Sequence, residues 1–371
     1  MDTPPPTAGQ LPATQTSAAP AASGKEPLLA AGAQRILSLD QLRGYAIAGM
    51  IFVNWFGHYD SVHWSLHHQK SAFSYADTIA PLFIFVVGMG FRLSLLRRIA
   101  KEGVSDARWA TFKRYCVLFL LGVAFYGPNM RIDWWDALVT IALGGLLSLP
   151  FIEKSTWVRV LAAFIYLGIY TVFFYFTGYG EWLLHRSMNG GPLGPFSWAF
   201  ILLMGTIAYD LLMRDDQSTI NLSLAWGIGL IVLSIATWYI MPKDSFGYAA
   251  DHGQYWAFAK RWSVAPCMFL ATGLSFLTFL FFYLLNDRWD IEIPTLSILG
   301  QNPLIIYLVQ YTLLMLWGEV VIDSFTEGGE KYELLTGNSG VIAATIGFVL
   351  FYAFNYGVAW KLHKDKTIIK L

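Results

Sequence analysis

Three polar residues share one face of the first apolar stretch of the chain. Asp40, Arg43 and Asn54 lie in the run SLDQLRGYAIAGMIFVNW. In a helix, at about 100° of rotation per residue, Arg43 and Asn54 fall within about 20° of the same face and Asp40 within about 40°. Polar side chains inside an apolar helix usually face the protein interior and mark a pathway or a site. The alternative is that Arg43 reaches the lipid headgroups while Asn54 joins two helices.

Four of the seven histidines follow in the segment HYDSVHWSLHHQKSAFSYAD, which ends at Asp77. They are His58, His63, His67 and His68. Imidazole can accept and return a proton near neutral pH, which suits general acid–base catalysis. His63 and His67 could also ligate zinc if this segment were helical, but no cysteine lies nearby, so we predict no metal. Histidines that only line the membrane interface are the third interpretation.

The first two predicted helices begin with residues that are typical of helix starts. Ser38 and Gln41 have the spacing of a capping box at the start of the first helix. Asp77 begins the next apolar segment, with Pro81 one turn later. Because proline cannot donate to the carbonyl oxygen of Asp77, we expect a kink and a freed acceptor there. The alternative for Asp77 is an acidic helix start that complements the helix dipole.

The composition indicates a membrane protein. Hydrophobic residues make up 56% of the 371 residues. Charged residues make up only 13%, against about 25% in soluble domains. A soluble protein could not cover its surface with so few charges, whereas lipid tolerates apolar surface. The net charge is zero, so we expect no nucleic acid as a partner. Cys116 and Cys267 lie in apolar stretches and are interpreted as buried free thiols.

The chain divides into a tail and one membrane domain. Residues 1–33 are rich in Pro, Ala, Ser, Thr and Gly, which predicts a disordered cytoplasmic tail. Residues 34–371 form the transmembrane domain, with apolar segments that can cross a membrane as helices. These predicted spans lie near 42–57, 77–97, 113–127, 135–152, 157–177, 195–213, 221–241, 263–285, 298–321 and 340–361. The predicted fold class is all-α, a polytopic transmembrane helix bundle of about ten helices.

The distribution of positive charge predicts the orientation of this bundle. With ten spans, both termini lie on the same side of the membrane. If that side is the cytoplasm, only seven of the 25 Lys and Arg residues face outward, as the positive-inside rule requires. They are Lys70, Arg131, Arg186, Lys243, Lys260, Arg261 and Lys331. We therefore predict cytoplasmic termini and an outward-facing loop from His58 to Ala76.

Two motifs carry a family resemblance through their spacing. SLDQLRG leads into MIFVN, and His67 precedes Asp77 by ten residues, with Pro81 and FIFVVG after it. Both resemble the motifs of the heparan-alpha-glucosaminide N-acetyltransferase family of polytopic membrane acetyltransferases. The family spacing selects His67 rather than His68 as the matching histidine. Weaker similarities are GPLGPFSWAFILLMGTIAYDLL, KRWSVAPCMFLATG and LGQNPLIIYLVQ.

The resemblance implies a membrane-bound enzyme that moves an acetyl group from cytosolic acetyl-CoA to an amino sugar or glycan outside the cytoplasm. Asn54 would stabilise the oxyanion, His67 would act as the base or carry the acetyl group, and Asp77 would orient the imidazole. Arg43 and Asp40 would lie in the donor site. The bacterial-type homologues imply the cytoplasmic membrane of the cell envelope. The lipid bilayer is then a partner, and whether the protein forms a homodimer is left open.

Two departures from the family pattern affect the acceptor. After its histidine the family reads Ala-x-Trp-x-Gly, whereas His68, Gln69, Lys70, Ser71 and Ala72 follow His67 here. The family has Leu-Gln-Arg after the third span, and the matching stretch RIDWWDALVTIALGG lacks both Gln and Arg. The acceptor therefore stays open. The competing class is a transporter that uses the same polar stripe for a small solute.

Overall fold

The computed structural model describes residues 36–59, 61–68, 73–127, 134–184, 189–240, 258–317, 326–327, 330–331 and 337–369. Twelve α-helices lie within these ranges. They are α1 (Leu37–Phe56), α2 (Tyr75–Glu102), α3 (Val104–Tyr126), α4 (Ala137–Ser148), α5 (Thr156–Phe176), α6 (Tyr179–Leu184), α7 (Gly194–Leu212), α8 (Asp216–Ile240), α9 (Ala265–Phe282), α10 (Pro294–Leu299), α11 (Pro303–Leu316) and α12 (Gly337–Lys364). A π-helical segment, Tyr283–Arg288, continues α9, and strands β1 (Thr326–Glu327) and β2 (Glu330–Lys331) pair antiparallel. The predicted tail, residues 1–33, lies outside the described residues.

Six of the described helices are long and apolar enough to cross a membrane, namely α2, α5, α7, α8, α9 and α12. Helices α4 and α11 are apolar but shorter. Each of the ten predicted spans overlaps one main helix, and the span near 298–321 also includes the last two residues of α10. The two short helices, α6 and α10, have six residues each. The prediction of an all-α polytopic helix bundle is confirmed, and the protein is an integral membrane protein.

Helices α1, α3 and α8 begin a turn or more before their predicted spans, and α8 starts at Asp216 rather than near residue 221. Helix α1 starts at Leu37 rather than near residue 42, and α3 starts at Val104 rather than near residue 113. The added turns contain charged residues, which lower the hydropathy of a sequence window. A helix end at the membrane surface accepts such residues, because their charged groups can reach water.

The capping box predicted at the start of α1 is wrong. Ile36 is the N-cap residue, and it makes no side-chain cap. Ser38 and Gln41 both lie inside α1 and are buried. The amide of Gln41 donates to Ser297 Oγ at 3.3 Å and accepts from Asn286 Nδ2 at 3.0 Å. Gln41 therefore ties α1 to α10 and to the segment after α9.

Helix α7 forms the centre of the bundle, where nearly all of its residues are buried. It packs against α2, α4 and α5. At the crossing with α2, a Cβ on Gly88 would overlap the carbonyl oxygen of Leu202, and a Cβ on Gly205 would overlap that of Phe85. Small residues allow such close approach of two helices inside a membrane. The glycine that ends the FIFVVG motif is therefore explained by this backbone contact.

A similar close contact joins α1 to α10. A Cβ on Gly44 would overlap the carbonyl oxygen of Leu296, and a Cβ on Gly300 would overlap that of Asp40. The glycine of the SLDQLRG motif is therefore a packing residue, whereas the arginine before it lies elsewhere, against Gly90 of α2.

The polar loops gather at the two ends of the bundle. We call one the histidine end, which contains residues 57–59, 61–68, 134–136, 189–193 and 258–264. We call the other the arginine end, which contains residues 103, 149–155, 213–215 and 289–302. At the arginine end, Asp210 of α7 accepts from Arg92 Nε at 2.9 Å and from Arg159, whose side chain is fully buried. Arg159 also donates to Thr206 Oγ1 at 2.7 Å. Buried charges need such partners, so this cluster joins α2, α5 and α7.

Candidate active site

A histidine and an aspartate pair at the start of α2. The Nδ1 atom of His68 lies 2.9 Å from Oδ1 of Asp77. Asp77 is only 1% exposed, whereas the imidazole is 49% exposed. The other carboxylate oxygen of Asp77 accepts from the backbone N–H of Ser74 at 3.1 Å and from its hydroxyl at 3.0 Å. Ser74 and Asp77 form the capping box of α2, which fixes the carboxylate and, through it, the His68 ring.

His67 faces a different partner. It follows a short 3₁₀ turn, Trp64–Leu66, and its Nε2 atom lies 3.2 Å from the carbonyl oxygen of Val62. Its own carbonyl accepts from Ser74 Oγ at 2.8 Å. The expected pairing of Asp77 with His67 is therefore wrong, because the turn directs the ring of His67 back into its own loop.

The segment that could have held zinc is not an α-helix. His63 precedes the 3₁₀ turn, and its Nδ1 atom contacts Ser65 Oγ at 2.9 Å. Within the described ranges, no cluster of three or more His, Cys, Asp or Glu side chains could hold a metal ion. The expectation of no metal stays a prediction.

Asn54 lies in the last turn of α1, near the histidine end. Its carbonyl oxygen contacts His58 Nδ1 at 2.8 Å. Its side chain is half-buried and makes no hydrogen bond to any residue that the structure describes. Met50, one turn earlier on the same face, lines a cavity. Asn54 does not line the cavity itself, but it lies one helical turn beyond Met50, which does.

The cavity lies between α1, α2, α4 and α7, close to the His68–Asp77 pair. Its empty volume is about 340 Å³, including the part open to solvent. It is lined by Met50, Ala80, Phe83, Ile84, Asp136, Ala137, Thr140, Asn189, Trp198 and Lys260. Most of the wall is apolar, and one carboxylate and one ammonium group face the same space. A small number of polar groups in an apolar cleft is typical of a ligand site.

Lys260 stands on a tightly held turn before α9. Its carbonyl accepts from the backbone N–H of Ser263 at 3.1 Å and from the Ser263 hydroxyl at 2.9 Å. Ser263 adopts φ 53° to make this turn, and the neighbouring Trp262 is nearly fully buried. The next carbonyl, that of Arg261, accepts from Gly190 N at 3.1 Å. The KRWS segment noted in the sequence is thus a rigid support for the lysine.

Asp136 and Asn189 are held just as firmly. Asp136 is the N-cap residue of α4 and accepts from Ala137 N at 2.7 Å. Asn189 has φ 52°, its side chain donates to the carbonyl of Trp135 at 3.0 Å, and its carbonyl accepts from Trp198 Nε1 at 2.9 Å. These bonds join the polypeptide before α4 to the polypeptide before α7, so the polar rim of the cavity is preorganised.

The charges at this end act on one another. The positive charge of Lys260 lowers the pKa of His68 below its ordinary value, burial acts in the same direction, and Asp77 opposes both. Burial raises the pKa of the Asp136 carboxyl, while the Ala137 N–H and the charge of Lys260 oppose that rise. The lowered pKa of His68 keeps its imidazole neutral at pH 7, as a general base requires.

Arg43 and Asp40 occupy the arginine end. Arg43 donates to Asp40 Oδ1 at 3.3 Å and lies against Gly90 of α2, where a Cβ would overlap its guanidinium group. Arg97 and Arg114 add positive charge around it. The structure therefore separates the predicted site residues into two groups, with Asp40 and Arg43 at one end of α1 and Asn54 at the other. Arg43 and Asn54 are roughly 16 Å apart along the helix axis.

Comparison with known proteins assigns the chain to a family. Residues 35–238 match the family model described as heparan-alpha-glucosaminide N-acetyltransferase, catalytic, which is more than half of the chain. The chain belongs to this family. The family resemblance stated from the motifs is confirmed.

Individual relatives match shorter stretches. An "Uncharacterized 39.9 kDa protein in amylase 3'region" from Bacillus acidopullulyticus is 30% identical over 146 residues, 38% of this chain and 40% of that protein. The Homo sapiens heparan-alpha-glucosaminide N-acetyltransferase is 31% identical over 111 residues, 28% of this chain and 16% of that protein. The Mus musculus protein of the same name is 29% identical over 113 residues, 28% of this chain and 16% of that protein. The chain thus matches less than half of the length of each of these relatives.

Two residues of the site received no role from the sequence. Asp136 appeared only inside the stretch that lacks the family's Gln and Arg. Lys260 appeared among the positive residues predicted to face outward and as the first residue of a weak motif beyond the matched range, residues 35–238. A signal for both existed in their type, since each is a charged residue directly beside an apolar span. Nothing in the sequence indicated that they line one cavity.

Proposed function

We propose that this protein is a membrane-bound acetyltransferase that moves an acetyl group from cytosolic acetyl-CoA to an amine acceptor on the other side of the membrane. The observation that carries the proposal is the His68–Asp77 pair beside a cavity, in a chain that belongs to a family named for an N-acetyltransferase. The histidine end would then face outward and the arginine end the cytoplasm, in accord with the positive-inside rule.

His68 acts as the general base. Because the Asp77 carboxylate can only accept, the proton of the neutral imidazole lies on Nδ1 and the lone pair on Nε2. The acceptor nitrogen attacks the thioester carbonyl, an N–C bond forms and the C–S bond breaks. Nε2 takes the proton from the nitrogen and returns it to the leaving thiolate, which departs as CoA thiol. An acetyl-histidine intermediate is the other route, and it requires the same exposed nitrogen.

Asn54 stabilises the oxyanion that develops on the thioester carbonyl. Its amide is a donor with no described partner, near the cavity and on the helix that leads to the donor end. One such donor typically contributes about 3 kcal/mol to the stability of the transition state.

Arg43 binds the phosphates of CoA at the arginine end. Guanidinium groups suit phosphate oxygens because they donate two parallel hydrogen bonds. Arg97 and Arg114 reinforce the positive field there. Asp40 holds Arg43 in position through the 3.3 Å hydrogen bond. The donor then extends along α1 towards Asn54.

The decisive test is thiol release from acetyl-CoA by the purified protein in lipid nanodiscs, with and without a panel of amino sugars. We expect acceptor-dependent release that is lost in His68→Ala and kept in the matched variant His63→Ala, which removes an exposed histidine of the same loop. A transporter of a small solute would release no thiol. The proposal is therefore contradicted if the folded wild-type protein releases no thiol with any of the acceptors.

A further inference from the structure

The cavity at the histidine end holds two opposite charges that do not neutralise each other directly. Lys260 is half-buried and forms no ion pair with any residue that the structure describes. Asp136 accepts from Ala137 N at 2.7 Å, but among the described residues it has no ion pair either. Each charge still acts electrostatically on its surroundings, since Lys260 lowers the pKa of Asp136 and Asp136 opposes the lowering of the pKa of His68.

The backbone keeps these charges where they are. The Ser263 bonds fix the turn that carries Lys260, and the capping bond fixes Asp136 at the first turn of α4. The apolar side chains of Met50, Phe83 and Trp198 line the same cavity. Charges that face an apolar cavity interact more strongly with a ligand than charges in water do. A preorganised pair of opposite charges is complementary to a ligand that carries both signs.

We propose that this cavity is the acceptor subsite and selects a primary amine that also carries an acidic group, a carboxylate or a phosphate, with Asp136 binding the ammonium group and Lys260 the acid. This inference rests on the proposed acetyl transfer. An acceptor with an amine alone leaves the Lys260 charge half-buried without a counter-charge. An acceptor with both groups satisfies both side chains.

Binding as an ammonium ion is compatible with the reaction. The bound ammonium first loses one proton to solvent and becomes the neutral amine. That amine forms the N–C bond as the C–S bond of the thioester breaks, and its second proton passes through His68 to the thiolate. Asp136 binds the acceptor and holds its nitrogen in place, and it takes no part in the bond changes.

The experiment compares three acceptors that share one amino-sugar ring: glucosamine, glucosamine 6-phosphate and muramic acid. Thiol release by the nanodisc protein is measured at about pH 8.5, two units above the ordinary pKa of histidine, so that changes in the His68 charge do not contribute. We expect kcat/KM to be at least about tenfold higher for one or both acid-bearing acceptors than for glucosamine, the size of one added ion pair in a partly buried site. Which acid is preferred distinguishes phosphate from carboxylate.

Variants test the assignment of each charge. Lys260→Gln should collapse the preference for acidic acceptors towards the glucosamine value, and Lys260→Arg should keep much of it. Asp136→Asn should raise KM for all three amines. The matched control is Lys364→Gln. Lys364 belongs to α12 and lies over the ring of Trp360, so its substitution should leave the preference for acidic acceptors unchanged. Thermal melting of each purified variant identifies any that is unfolded.

Three outcomes would overturn one of two statements. Equal kcat/KM for the three acceptors in the wild-type protein, or an unchanged preference in folded Lys260→Gln, contradicts the acceptor inference and leaves acetyl transfer intact. No thiol release with any acceptor contradicts the proposed function itself.

Discussion

The Nδ1 atom of His68 lies 2.9 Å from the buried carboxylate of Asp77, while the adjacent residue His67 points back to the carbonyl of Val62. Consecutive residues in an extended loop direct their side chains to different sides, so only one of the two imidazoles can use Asp77. This geometry makes the two histidines chemically unequal although they are neighbours in the chain.

We predict that His68→Ala lowers turnover by about 100-fold or more, because a general base is lost, whereas His67→Ala costs little. The measurement is thiol release from acetyl-CoA by the two purified variants at equal protein concentration. If His68→Ala stays active and His67→Ala is inactive, the general base is His67, the histidine that the family spacing selects.

The pH dependence should depend on Lys260. The charged groups that act on His68 are Lys260, Asp77 and Asp136, and the first of these lowers its pKa most. Because the base must be neutral, activity should be lost as the pH falls through a value below the ordinary histidine pKa of about 6.5. In Lys260→Gln the lowering charge is gone, so the acidic limb of the kcat/KM profile should move to higher pH. A limb that stays in place would mean that another group titrates.

The two ends of α1 should separate binding from turnover. Arg43→Ala should mainly raise the KM for acetyl-CoA, because a phosphate contact is made equally in the ground state and the transition state. Asn54→Ala should mainly lower kcat, by about 100-fold for the loss of about 3 kcal/mol, because an oxyanion donor acts in the transition state. Steady-state kinetics with varied acetyl-CoA measure both. Unchanged kcat in Asn54→Ala would exclude that residue from the site.

The orientation can be tested with single cysteines. We predict that His63→Cys, in an exposed position at the histidine end, reacts with a membrane-impermeant maleimide on intact cells and that Glu102→Cys, at the end of α2, does not. The parent protein gives the background from Cys116, which is partly exposed, whereas Cys267 is buried. The reverse labelling pattern would invert the proposed topology.

The helices could be predicted because an apolar stretch of about 20 residues is long enough to cross a membrane and rarely forms another structure. Their ends could not, since the charged first turns of α1 and α3 resemble loop sequence. Asp77 was found for the same reason as α2, from its place at the head of an apolar run. His68 was missed because the direction of a loop side chain depends on the 3₁₀ turn before it, which short-range patterns do not specify.

The cavity could not be predicted from any pattern in the sequence. Asp136 and Lys260 are separated by α4 to α8, and they meet only because the chain before α9 is bonded to the chain before α7. Such long-range proximity follows from the packing of whole helices. A single sequence contains no periodicity that records it.

Reciprocal glycine contacts hold two blocks of the bundle together, α2 with α7 and α1 with α10. Helices α2 and α7 cannot slide past each other, since their backbones touch at Gly88 and Gly205, and α1 is locked to α10 in the same way through Gly44 and Gly300. Between the blocks, α1 meets α2 through side chains, such as Ile79 against Gly49, which can shift. Shear between these two blocks would therefore change side-chain contacts rather than backbone contacts. It would move Arg43 and Asn54 together relative to Asp77. One position of α1 would then admit the donor, and the other would align it for acetyl transfer.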